Sequence, residues 1–174
     1  MKCTFENFKS LNLDTSSIAL ESTEYLYPYW CYPLNSKPIG LEGCILYCFI
    51  DGYDEMVFAA NPESCADSNV YPLAKNFEDF LRLIVTCGSA NPVEQIVWMS
   101  EQKFKEHLAA EMKVQPDTQK EVLNKLKTTF KLTEIDNPYE YVKEVQHNFD
   151  DSRVKYSDEY YDIKGIEKAY NKRL

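Results

Sequence analysis

Histidine and glycine are scarce, and no cysteine pair has the spacing of a metal site. The 174 residues include two His, at 107 and 147, and five Gly. Six Cys stand at 3, 31, 44, 48, 65 and 87, with no Cys-x-x-Cys among them. Zinc centres need closely spaced Cys and His, so no metal site and no cofactor is expected. The Walker loop, Gly-x-Gly-x-x-Gly, His-Glu-x-x-His and Gly-x-Ser-x-Gly are all missing, which removes the best-marked nucleotide, metalloprotease and hydrolase chemistries. No apolar run approaches the ~18 residues of a membrane span. The opening MKCTFENFKS has no apolar stretch of the kind a signal peptide carries. Free thiols in a reducing cytoplasm are the expectation.

What is present points to a soluble core. The chain is 44% hydrophobic and 27% charged, ordinary for one globular domain spanning residues 1–174. Thirteen Tyr and nine Phe suit either an aromatic core or an aromatic binding surface. The net charge of −9 argues against a nucleic-acid partner. Acid is concentrated early: residues 1–100 carry 13 acidic and 5 basic side chains, a net of −8. That excess either keeps the chain soluble or attracts a basic partner.

The organising unit runs from Cys44 to Gly88. Cys44–Ile50 and Tyr53–Ala59 are rich in β-branched and aromatic residues, and Asp51-Gly52 between them predicts a hairpin with a type I′ turn. In that register Ile45, Tyr47 and Phe49 share a face with Asp54, Met56 and Phe58. Both faces are largely apolar, so the hairpin is central and covered on both sides, or one side meets another chain. Asn76 predicts an N-cap, with Glu78 and Asp79 in the first turn, and Phe77, Phe80, Leu81, Ile84 and Val85 follow at helical spacing. Gly88 ends that helix.

Elsewhere the signals are weaker. Residues 1–20 predict a short helix or an irregular start. Tyr25, Tyr27 and Tyr29 alternate as in an extended segment, but Pro28 limits it to an edge strand or irregular approach. Pro33, Pro38, Gly40 and Gly43 predict a loop. Asn91-Pro92-Val93-Glu94 and Asn137-Pro138-Tyr139-Glu140 read as helix starts, with Asn as cap and Glu at the third helical position. Helices from Ser100 through Met112, with Phe104, Leu108 and Met112 on one face, and over 118–131, with Val122, Leu123, Leu126 and Phe130 inward, lie between them. After 137, Tyr141, Val142, Val145 and Phe149 recur at helical spacing. A last helix is anchored by Ile163, Ile166 and Tyr170, with Lys172 and Arg173 at its end. Together these predict an α+β fold: an antiparallel or mixed sheet built on a central hairpin, packed helices, and a helical C-terminal extension over 113–174.

The chemistry-bearing candidates are few. Asp51, Asp54 and Glu55 crowd the hairpin turn beside Tyr53. Paired carboxylates can act as acid and base, but at an exposed turn tip they suit a partner-binding surface better. Tyr53 adds contact area at little entropic cost. The two His fall among Lys and Glu on helices and read as surface groups. The Tyr/Trp cluster of residues 25–32 packs over a sheet end or forms a binding surface.

The hairpin CILYCFIDGYDEMVFAAN, the Val70-Tyr71-Pro72-Leu73-Ala74 stretch and the helix Asn76-Phe77-Glu78-Asp79-Phe80-Leu81 resemble the SUKH superfamily over residues 24–112. That group includes bacterial immunity proteins against polymorphic toxins and a fungal regulator of cell-wall synthesis. The family's usual opening helix, with its Leu-Pro-x-Tyr-like element and following Asn-Gly, is missing here, and residues 113–174 are additional. The resemblance implies a non-catalytic cytoplasmic binding protein with no catalytic residue to carry over. The partner it implies is a protein, such as a basic toxin neutralised by occlusion. A regulatory or scaffold protein of the same fold is the alternative, and an enzyme with an unrecognised site is the third reading. A pocket of convergent polar groups would favour the enzyme.

Overall fold

The computed structural model describes residues 1–168. Four strands form one antiparallel sheet in chain order: β1 (Ser36–Glu42), β2 (Ile45–Ile50), β3 (Val57–Ala60) and β4 (Val70–Ala74). Helix α1 (Phe5–Ser10) precedes the sheet. After it come α2 (Phe77–Cys87), α3 (Ala90–Gln95), α4 (Glu101–Lys113), α5 (Asp117–Phe130), α6 (Pro138–His147) and α7 (Asp158–Lys164). The fold is α+β, and its sheet is antiparallel throughout.

Strand β1 corrects the loop expected around Pro33–Gly43. Pro38 has no N–H to give a ladder, but β1 is an edge strand and its register slips between Pro38 and Gly40. A Cβ on Gly40 would sit 3.0–3.1 Å from Leu20 Cδ2, Cα and Cβ, so glycine lets the chain cross the strand closely. The next residue, Glu21, exchanges backbone hydrogen bonds of 2.7 and 3.1 Å with Leu41. Tyr25, Tyr27 and Tyr29 lie in irregular chain, not in a strand.

The central hairpin forms in a different register from the expected one. The Asp51-Gly52 turn is present, closed by Tyr53 N–H to the Ile50 carbonyl at 3.1 Å, but only Gly52 of the pair has positive φ. A second turn closes from Met56 N–H to Tyr53, with Asp54 at φ 53. Phe49 therefore pairs with Val57, where a two-residue loop would have placed Asp54, a slip of three residues. An odd slip exchanges the faces of one strand. Val57 and Ala59 join Tyr47 and Phe49, while Phe58 and Ala60 join Leu46, Cys48 and Ile50.

Both faces are covered by the chain itself. On one, Tyr47, Val57, Ala59 and Leu73 pack under Phe80, Leu81 and Ile84 of α2. On the other, Leu46, Cys48, Ile50, Phe58 and Val70 meet Cys31, Tyr32, Val154 and Tyr160. The segment after residue 112 supplies both clusters: Leu123, Leu126 and Phe130 of α5 and Val142 of α6 enter the first, Val154 and Tyr160 the second. Phe149, expected on α6, lies beyond its end and packs on Tyr53 and Phe58.

Capping chemistry holds at most helix starts. Asn76 Oδ1 accepts Asp79 N–H at 2.8 Å, and Gly88 takes φ 90 at the far end of α2. Asn137 Oδ1 accepts Glu140 N–H at 3.1 Å, behind Pro138. Ser100 caps α4, whose Phe104 is buried, although Met112, expected inward, is exposed. Helix α3 departs from expectation: it starts at Ala90, so Asn91 is inside it and free to bond elsewhere. Pro92 costs nothing there, because first-turn N–H groups have no intrahelical partner. In the last helix Tyr160 is buried; Ile163 on it and Ile166 just beyond it, both expected as anchors, are exposed. Tyr170, Lys172 and Arg173 lie outside the described residues.

Candidate functional site

The four turn residues fall into two groups. Asp51, Asp54 and Glu55 edge a groove of about 500 Å³ between the β2–β3 loop and α1. Thr4 caps α1, its Oγ1 accepting Asn7 N–H at 3.2 Å, and the helix brings Phe5 to the sheet. Phe5, Phe49 and Phe77 meet with ring centroids 5.4–6.0 Å apart and form the groove's apolar side. Lys37 pairs with Asp51 at 3.0 Å, and Lys9 with Glu6 at 3.0 Å. Asp54 and Glu55 have no ion partner among the described residues. Exposed ion pairs of this kind add little stability, so the rim's charge stays available to a partner.

Tyr53 points the other way. Its ring lies 5.3 Å from Phe58 and 5.4 Å from Phe149. Its hydroxyl donates to the Asp150 carbonyl at 2.7 Å and accepts Arg153 N–H at 2.9 Å. Arg153 Nη1 in turn donates to the Gly52 carbonyl at 2.6 Å. Burial raises the phenol's pKa, and the group stays protonated. The structure thus gathers the three carboxylates on one groove and gives Tyr53 to the internal packing of the turn.

A second polar site lies at the other end of β2, in a pocket of about 480 Å³ bordered by Glu42, Asn91, Glu94, Gln95 and Trp98. Glu94 is 2% exposed, and its Oε1 accepts hydrogen bonds from Tyr71 Oη and from Asn61 Nδ2, the latter at 2.9 Å. Glu42 accepts from Tyr47 Oη at 2.8 Å and from Asn91 Nδ2 at 2.5 Å. Burial raises the pKa of both carboxyls, and the neighbouring Glu94 adds to the rise at Glu42. Sequence reading missed both. Glu94 looked like the third-position partner of an Asn91 cap, but α3 begins a residue before Asn91. The available signal was an acid beside Val93, Ile96 and Val97 in an apolar run.

The remaining candidates separate. His147 is exposed as expected, but His107 is half-buried, with Nε2 buried and lacking a hydrogen-bond partner among the described residues. Of the aromatic cluster, Tyr32 is buried and Trp30 packs on Tyr160 at 5.8 Å, while Tyr25 and Tyr27 are 87% and 74% exposed. Among the described residues no helix is long and apolar enough to cross a membrane. Comparison with family models, curated proteins and solved structures finds no match for this chain.

Proposed function

We propose that this chain is a non-catalytic, SUKH-like protein-binding module of the cytoplasm, and that it neutralises a basic toxin by occlusion. The supporting observation is the groove beside α1: an apolar side built from Phe5, Phe49 and Phe77 next to Asp51, Asp54 and Glu55. An apolar patch with an acidic edge fits a basic segment carrying an apolar anchor. The carboxylates raise the rate of encounter, and the aromatic side supplies buried area once the partner is seated. Tyr53 contributes indirectly, by fixing the turn that carries the acids.

An immunity protein requires a toxin gene beside its own, so the test takes the product of the neighbouring gene, and a neighbour that encodes no toxin overturns the immunity reading. Co-expression restores growth, and a catalytically dead toxin binds the purified chain. The variant D51N/D54N/E55Q slows association about tenfold at low salt, and the difference closes as the Debye length shrinks. Failure to restore growth overturns the immunity reading. Equal association rates at every salt concentration remove the groove from the interface.

A further inference from the structure

The pocket between Glu42 and Glu94 offers hydrogen-bond acceptors that the chain does not use. Both donors to Glu94 fall on Oε1, which leaves Oε2 for a guest in the pocket that Glu94 borders. The Oε1 of Gln95 is buried without a partner among the described residues. Its orientation follows from the network. Glu42 only accepts when ionised, so Asn91 must turn its Nδ2 toward it. Asn91 Oδ1 then takes Gln95 Nε2 at 3.0 Å, which leaves the Gln95 carbonyl oxygen over. A buried unmatched acceptor such as Gln95 Oε1 is costly unless a donor arrives.

The charge has one sign. Glu42, Glu63 and Glu94 border the pocket, and no Lys or Arg does. Trp98 is 43% exposed at its edge, presenting an aromatic face. Among the described residues no cluster of three or more His, Cys, Asp or Glu could hold a metal ion. The fitting guest is an organic cation rich in N–H donors, flat enough to lie on an indole.

We propose that this pocket binds a guanidinium group, which donates to Glu94, Glu42 and the Gln95 carbonyl and stacks on Trp98. A volume of about 480 Å³ holds the group together with the chain that carries it. A planar fork of donors matches a carboxylate in two bonds, which an ammonium point charge does not. The pocket lies at the opposite end of β2 from the acidic groove, so this site stands apart from the toxin-binding reading.

The test is titration of the isotope-labelled full chain with butylguanidinium, followed through the Trp98 indole and the Asn61, Asn91 and Gln95 amides. Saturable shifts are expected, with a Kd at or below about 10 mM. Tetramethylammonium has the charge without the donors, and urea has the donors without the charge; each binds at least about tenfold more weakly. Glu94→Gln keeps acceptors for Tyr71 and Asn61 and lowers affinity at least about tenfold. Trp98→Leu, at an exposed rim position and therefore compatible with folding, lowers it about threefold. A peptide with one arginine that binds more tightly than butylguanidinium assigns the group to a protein partner, and the reverse order to a small molecule. Absence of saturation, equal binding of tetramethylammonium, or undiminished binding by either folded variant overturns the site.

Discussion

The Tyr53 hydroxyl and the Asp150 carbonyl lie 2.7 Å apart, joining the hairpin turn to a segment 97 positions later. The same oxygen accepts Arg153 N–H, so one phenol holds both sides of the crossing. The turn is thereby anchored from outside its own strands. This makes Tyr53 a support for the groove's acidic rim.

Tyr53→Phe removes both hydrogen bonds and keeps the ring between Phe58 and Phe149. The expected loss is about 1 kcal/mol, because the hydroxyl sits near solvent that replaces part of what is lost. Urea denaturation should show a lower midpoint with an unchanged slope, and the Arg153 amide should exchange faster. An Arg153 amide exchanging at the parent rate would show that the segment is held without Tyr53.

Leu81 is fully buried on α2 between the sheet and the C-terminal helices. Leu81→Ala should cost on the order of 2–5 kcal/mol, from lost transfer energy and an unfilled cavity. Thermal and urea melts measure it. A variant melting within about a degree of the parent would mean that the site collapses freely around the smaller side chain.

Gly40 and Leu20 set a second steric limit. A Cβ at Gly40 would meet Leu20 Cα at 3.1 Å as well as its side chain. Backbone cannot swing aside as a side-chain tip can, and the neighbouring Glu21–Leu41 bridge holds Leu20 in place. Gly40→Ala should cost about 1–3 kcal/mol by overpacking. Leu20→Ala should relieve only part of that loss, since Leu20 Cα remains. Full rescue in the double variant would place the whole clash in the side chain.

How much could be read in advance follows from the range of the interactions. Asn76, Gly88, Asn137 and Pro138 act within one helical turn, and their helices are where local chemistry puts them. The α+β class followed from the same local signals. Strand β1 was hidden because Pro38 and Gly40 are local loop signals, and their fit depends on an edge position and on Leu20, about 20 residues earlier. The register of β2 and β3 was misread because the Asp51-Gly52 turn does not close the hairpin alone. A second turn at Asp54 follows, and Tyr53 is tied to Asp150 and Arg153. The acidic groove was half legible: its carboxylates cluster in sequence, but its apolar side comes from Phe5 and Phe77, far away along the chain. Glu94 had only its apolar neighbours to mark it as a buried acid, because its partners, Asn61 and Tyr71, lie more than twenty residues upstream.

Thiol chemistry gives a prediction that needs no partner. Burial pushes the Cys3, Cys31 and Cys87 thiols up to about 12, and Cys48 is raised as well. A thiol must be both reachable and ionised to react, so these four are slow at neutral pH. Cys65 is exposed, and Cys44 is half-buried with its pKa raised. Iodoacetamide at neutral pH should label Cys65 first, Cys44 second and the others only on unfolding. Mass spectrometry of tryptic peptides reads the order. Early labelling of Cys48 would mean that the second face of the sheet opens readily.

Glu94 sets the sign of a pH effect. Its folded-state pKa is raised above the ordinary 4.5 because burial disfavours the anion more than Tyr71 and Asn61 stabilise it. Between the unfolded and folded pKa values the native state holds more protons than the unfolded chain, so stability falls as pH rises through that window. Glu42 is raised for the same reason and shares the window. Below the unfolded value the carboxyls are protonated in both states and the cost vanishes. Above the folded value the cost is complete, at about 1.4 kcal/mol for each pH unit that separates the two pKa values. Glu94→Gln has no charge to desolvate and still accepts from Tyr71 and Asn61. Its urea midpoint should therefore fall less steeply than the parent's above pH 4.5, and equal or exceed the parent's at neutral pH. Parallel curves for the two proteins would show that Glu94 ionises in the folded state at no cost. A saturating guanidinium ligand should act in the opposite direction, since a bound cation favours the anion, lowers the folded-state pKa and so shrinks or reverses the loss of stability above pH 4.5.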